Sequence, residues 1–169
     1  HCDVRPVTDF FTRHTAETLI TADSGIDWIV DAIDAPSVKA LLMARARELG
    51  IRLVTVGGAG GRVDPLRIQV SDVTRAKNDP LLAKTRKLVR QRHDFPRGKR
   101  KWAVPAVWSP EDPVYPTSDG GVCDTVELGH EPKRLDCATG YGAASFVTGT
   151  FGLIAASVVV RELLAQETT

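Results

Sequence analysis

Two hydrophobic rhythms alternate along this chain. Residues 26–30 (IDWIV) are almost wholly apolar, which predicts a strand buried on both faces, as in a parallel sheet. From residue 36 to 49 the period lengthens. Val38, Leu42, Ala46 and Leu49 share one face, Leu41 lies beside them, and Lys39, Arg45 and Glu48 point elsewhere, as in a helix. Pro36 suits its first turn and Gly50 the position just past its end. A second apolar strand follows at 51–56 (IRLVTV) and closes on the glycine run GGAGG at 57–61. Strand, helix and strand over this distance make a βαβ unit, right-handed by strong preference.

Downstream the texture changes. RIQVSDV, 67–73, alternates like a half-buried strand. NDPLLAKTRKLVRQR, 78–92, reads as a basic helix opened by Asn78 or Asp79, and AVPAVWS, 103–109, as another strand. Residues 109–136 are rich in Pro, Gly, Ser and Asp and predict a long loop of the kind that is usually functional or mobile. A long apolar helix is expected from about 142 to 165. Before the βαβ unit, residues 2–10 read as a strand already under way, and TAETLIT, 15–21, as a short helix with Thr15 or a neighbour as its cap. That opening strand suggests the second half of a larger unit.

Composition narrows the picture. The chain has 169 residues and 43% hydrophobic positions, enough for one ordinary domain. Its net charge is +1, so any contact with nucleic acid must be local. The three cysteines, Cys2, Cys123 and Cys137, form no CxxC pair, which argues against a disulfide scaffold and a four-thiolate zinc site and fits a reducing, cytosol-like compartment. The start is polar and charged, unlike a signal peptide, and the apolar run 146–160 is short of the roughly 20 residues of a membrane span.

Four stretches carry candidate chemistry. Asp31 and Asp34 follow the apolar strand, at the kind of strand end where open α/β sheets bind ligands. Mg²⁺ takes one or two carboxylates and completes its shell with water and phosphate oxygens, so Asp34 suits a nucleotide's magnesium. It suits equally well the cap of the helix at Pro36. Lys39, one turn on, is either a phosphate partner or a solvated lysine. GGAGG lets backbone approach a ligand, yet it is not GxGxxG, and a tight strand exit explains it better. Residues 84–101 hold nine Lys or Arg, namely Lys84, Arg86, Lys87, Arg90, Arg92, Arg97, Lys99, Arg100 and Lys101, against one acid, Asp94. That one-signed excess is the footprint of a phosphate backbone, with Phe95 and Trp102 as candidate base-stacking groups. Cys137 stands between Lys133, Arg134 and a helix start, surroundings that favour thiolate as much as plain burial would explain it; the acids around Cys123 disfavour thiolate.

DAIDAPSVKALL, VTVGGAGGRVDPLRIQVSDV, NDPLLAKTRKLVR, VYPTSDGG and KRLDCATGYGAASFVTGTFG together resemble the tRNA threonylcarbamoyladenosine dehydratases, members of the superfamily of ubiquitin-activating and sulfur-carrier-adenylating enzymes. The resemblance runs from about residue 2 to 165. It implies a Rossmann-like α/β domain with a partial parallel sheet, flanking helices, a C-terminal β extension and a long apolar C-terminal helix. It further implies ATP and Mg²⁺, a monovalent cation as a further candidate, no zinc, tRNA as substrate, a homodimer, a sulfur-transfer partner, no membrane and a cytoplasmic setting. Asp34 matches the superfamily's magnesium-ligating aspartate, Asp31 supports it, Lys39 stands where relatives carry a phosphate-side arginine, and Cys137 matches a cysteine tied to sulfur-handling partners. On this reading 1–61 is the Rossmann half with the metal aspartate, 62–141 a basic insertion and loop, and 142–166 a packing helix. The family's nucleotide loop lies upstream of the residues present, which predicts weak ATP binding and no activity for this chain alone. Adenylation of a ubiquitin-like carrier and a non-catalytic docking module for tRNA or a sulfur-transfer protein are the competing readings.

Overall fold

The computed structural model describes residues 2–98, 100–117, 121–123 and 142–167. Its centre is a four-stranded sheet built from β1 (Trp28–Asp31), β2 (Arg52–Val56), β3 (Gln69–Asp72) and β4 (Pro105–Trp108), in the order β1-β2-β4-β3. β1 and β2 are parallel with Trp28 opposite Arg52 and Asp31 opposite Thr55, and β4 is parallel to β2. β3 runs antiparallel to β4 at the edge. A two-stranded ladder of β5 (Tyr115–Pro116) and β6 (Val122–Cys123) interrupts the expected long loop.

Pleating sorts the strand residues between two cores. Leu53, Ala106 and Trp108 point to one side and meet Ala40, Met43 and Ala46 of α2 (Pro36–Glu48) and Leu82 and Val89 of α3 (Pro80–Arg92). Val54 and Val107 point to the other, where Val147, Phe151, Ala155 and Val158 of α4 (Ser145–Glu167) cover them. Those spacings of four, four and three place the four α4 residues on one helix face. Helices on both faces of a largely parallel sheet are the α/β arrangement the apolar runs call for.

The helix boundaries have local causes. α2 ends in a Schellman motif: Gly50 takes φ +70 while its N–H reaches Arg47 O at 3.2 Å and Ile51 N–H reaches Ala46 O at 2.8 Å. Asp79 opens α3 by accepting Leu82 N–H at 2.8 Å, and Pro80 follows at the first helical position. Thr15 occupies the N-cap of the one-turn α1 (Ala16–Leu19) without bonding its amides.

Two expectations need correction. Residues 2–10 form no strand; they run exposed, with no partner strand to satisfy a ladder, and their one ion pair, Arg5 with Asp3, is solvated. The helix expected at about 142–165 is present as α4, but its apolar stretch is not short of a membrane span as the run 146–160 suggested. Ser145–Gln166 passes the length and composition of a membrane span, with only 22% of its apolar window buried. The four-residue stripe on the sheet accounts for that share, while Phe146, Leu153, Val160 and Leu164 stay exposed.

Candidate active site

β1, β2 and β4 share a direction, so their carboxyl ends open onto one rim. Asp31 ends β1 with its side chain turned under the rim. Lys39 comes back from the first turns of α2 to meet it: its ammonium lies 2.9 Å from Asp31 Oδ2, 3.3 Å from the Asp31 carbonyl and 3.0 Å from Thr55 Oγ1. The Thr55 hydroxyl donates to the same Asp31 oxygen at 2.8 Å, and Asp31 Oδ1 accepts Ile33 N–H at 3.1 Å. All three side chains are fully buried. An ammonium has three donors, and here each has an acceptor. Burial lowers the Lys39 pKa below its ordinary value, more than the facing Asp31 raises it. Lys39 is thus neither the solvated lysine nor the free phosphate partner that its position in sequence suggests. It and Asp31 form an ion pair beneath the site.

Asp34 differs in every respect. It is exposed, and among the described residues its carboxylate makes no hydrogen bond or ion pair. The N-cap of α2 is Ala35, and no side chain caps that helix, so Asp34 is not occupied in capping. Its charge, after those of Asp31 and Asp79, reaches Lys39.

The glycine run leaves β2 beside this pair and serves the protein's own carboxylate. Asp79 Oδ2 accepts Gly58 N–H at 3.0 Å, and a Cβ on Gly57 would overlap that oxygen. Gly61 takes φ +69, and a Cβ there would lie 2.7 Å from the Val114 carbonyl oxygen and 2.8 Å from Pro113 Cβ, so a side chain would clash. Arg62 is 3% exposed and bonds Gly58 O at 2.6 Å, Glu111 O at 2.8 Å and Asn78 O at 3.1 Å, with the Asp79 carboxylate 3.9 Å away. Glu111 accepts the N–H groups of Val63 and Asp64. The strand-exit reading of GGAGG fits this geometry. Sequence reasoning missed Thr55, Arg62 and Glu111 and saw Asp79 only as a cap. The available signals were a hydroxyl inside an apolar strand and an arginine directly after glycines.

The basic segment divides. Lys84, Lys87, Arg92, Arg97, Arg100 and Lys101 are exposed. Arg86 is half-buried, donates to Val73 O at 3.0 Å, and has its pKa lowered by burial and by Arg90. Arg90 lies over the Trp102 ring at 5.0 Å. The two aromatics are not free to stack on bases: Phe95 is 4% exposed, meets Trp102 edge-on at 4.9 Å and is covered by Arg47 at 4.6 Å, and Trp102 Nε1 donates to Pro96 O at 3.0 Å. Lys99 and Cys137 lie outside the described residues. Among the described residues no three His, Cys, Asp or Glu gather as a metal-binding group. A single free carboxylate at the rim still fits magnesium, which needs few protein ligands when phosphate supplies the rest.

No family model matches the chain. The chain is 43% identical, over 98% of its length, to the tRNA threonylcarbamoyladenosine dehydratase of Escherichia coli strain K12. A solved structure of the protein TcdA (CsdL) superposes with a TM-score of 0.80 at 37% identity, covering 96% of this chain. Nearly the whole chain is thus similar to part of the tRNA threonylcarbamoyladenosine dehydratases. It spans 61% of the Escherichia coli protein and 58% of the solved TcdA chain. The Escherichia coli dehydratase in complex with ATP aligns with a TM-score of 0.75 at 33% identity, over 96% of this chain and 57% of its own. The α/β reading and the family resemblance both stand.

Proposed function

We propose that this chain carries part of the site for ATP-dependent dehydration of threonylcarbamoyladenosine in tRNA. The observation that carries this is the contrast at the rim, in a chain 43% identical to a dehydratase. The buried acids there each have a partner, and among the described residues of the rim the exposed Asp34 alone offers a free carboxylate. A nucleotide's triphosphate would lie over the strand ends, with Asp34 and the phosphates holding Mg²⁺ between them. The metal would neutralise phosphate charge and so ease transfer of the adenylyl group to the substrate's carboxylate with release of pyrophosphate; ring closure then expels AMP, and the net change in the tRNA is the loss of water.

The chain's own residues do the positioning. The Asp31–Lys39–Thr55 cycle fixes the turn that carries Asp34, so the free carboxylate is presented without having to be ordered on binding. Asp79, Arg62 and Glu111 do the same for the glycine exit. The exposed cations Lys84, Lys87, Arg92, Arg97, Arg100 and Lys101 supply contacts to tRNA phosphates. A homodimer belongs to this reading, supported by the exposed apolar face of α4, and a sulfur-transfer partner would meet the region of Cys137.

The test is conversion of threonylcarbamoyladenosine to its dehydrated form on tRNA by this chain joined to the family's nucleotide-loop unit, read by mass spectrometry with ATP present and absent. Carrier-stimulated ATP–pyrophosphate exchange without tRNA dehydration would move the activity to carrier adenylation instead.

A further inference from the structure

Away from the rim, the segment before α1, the first turns of α2 and the end of α3 enclose a cavity of about 210 Å³. Its polar lining includes Arg13, Ser37, Arg92 and His93, and Phe11 and Val38 form apolar wall. Arg13 and Arg92 come from different elements, yet both lie close enough to His93 to depress its affinity for a proton, together with its partial burial. Asp94 is the opposing charge there, and its effect is the smallest of the four. Among the described residues neither arginine makes an ion pair or a hydrogen bond, and neither the His93 ring nor the Ser37 hydroxyl has a partner. Like charges brought together against only a weak counter-charge destabilise a fold, unless an anion takes the space between them.

Further observations sharpen the ligand. Among the described residues no side chain caps α2, so the Ser37 and Val38 amides of its first turn are left to add positive potential, while Lys39 N–H closes the turn on Ala35 O at 2.9 Å. The volume is below the 300 Å³ or so at which pockets for drug-sized molecules begin, which suits a single charged group. Guanidinium pairs match phosphate oxygens bidentately, and apolar walls strengthen such contacts. Arg92 lies at the end of α3, whose exposed residues also include Lys84 and Lys87, so a polyanion reaching that end of α3 would meet the cavity.

We propose that this cavity seats one phosphate group, supplied by the backbone of the tRNA substrate. It is an anchor point distinct from the nucleotide rim, and its RNA assignment rests on the tRNA reading above. Arg13 and Arg92 clamp the phosphate, Ser37 donates to it, and a protonated His93 adds a third cationic donor.

Two arms test this. In the first, the His93 ring is titrated by NMR with and without inorganic phosphate. The expected result is a rise in its pKa on adding phosphate, lost in Arg13→Gln/Arg92→Gln; no rise overturns the pocket. In the second, tRNA binding is followed against salt for the wild type and Arg13→Gln. Among the described residues Arg13 has no partner, so its loss should leave folding undisturbed, and the slope of log affinity against log salt should fall by about one unit. A wild type that binds tRNA while Arg13→Gln keeps its slope overturns the pocket and leaves the tRNA reading intact. A wild type that binds phosphate but no tRNA overturns the RNA assignment together with the reading it rests on.

Discussion

The rim of the sheet and the outer end of α3 handle charge in opposite ways. At the rim, Lys39, Arg62, Asp31, Asp79 and Glu111 are nearly or wholly buried, and each is matched by a partner within the protein. At the end of α3, Lys84, Lys87 and Arg92 stand in water, and none has an ion-pair partner among the described residues. Abundance of charge therefore does not locate function. What matters is which charges the fold leaves unengaged: one carboxylate at the rim, and a row of cations outside it. Buried pairs hold geometry, and exposed unpaired groups are free to meet a ligand.

Breaking the buried side should do the most damage to folding. Lys39→Met leaves Asp31 charged and buried without a cation, and urea unfolding should show a loss of about 3–5 kcal/mol. Asp31→Leu together with Lys39→Met should recover most of that, because a well-packed apolar pair replaces an ion pair at little cost. A single variant as stable as the wild type would mean that the pair does not hold the turn.

Asp79→Ala comes next, at about 1–3 kcal/mol, from a lost cap, an unbonded Gly58 amide and a lost carboxylate beside Arg62. Smaller and more diagnostic is the comparison of two neighbours on α3. Arg90→Ala should cost about 0.5–1 kcal/mol through its lost contact with Trp102 while leaving tRNA affinity alone. Arg92→Ala should leave the unfolding midpoint in place and lower the salt slope of tRNA binding by about one unit. If both behaved alike, the division between engaged and free cations would fail.

How much of this was legible beforehand follows from where each signal sits. The βαβ unit, α2, α3 and the basic row could be read because hydrophobic period, Pro36, Gly50 and Asp79 act locally. The fates of Lys39, Arg90 and Phe95 could not, because each is decided by a contact far along the chain: Lys39 with Thr55, Arg90 with Trp102, Phe95 with Arg47. A strand at 2–10 was misread for the same reason. Its composition allows one, but no neighbouring strand comes to pair with it. Asp34 could be singled out as an acid at a strand end, yet only the structure separates a free carboxylate from a helix cap.

The faintest effect is pH dependence at His93. Its pKa is lowered in the fold by burial, Arg13 and Arg92, so between that value and the ordinary 6.5 the unfolded chain binds the extra proton. Stability contributed by neutral His93 is therefore present above 6.5 and lost as pH falls through this window. Urea midpoints measured across it should decline for the wild type, and less for His93→Gln.

Asp34→Asn tests the account most directly. In a protein that also supplies the rest of the site, the variant should unfold at the wild-type urea concentration, because that carboxylate makes no bond to any described residue, and should lose ATP-dependent dehydration of threonylcarbamoyladenosine in tRNA read by mass spectrometry. Wild-type turnover by Asp34→Asn, with its fold intact, would contradict the account.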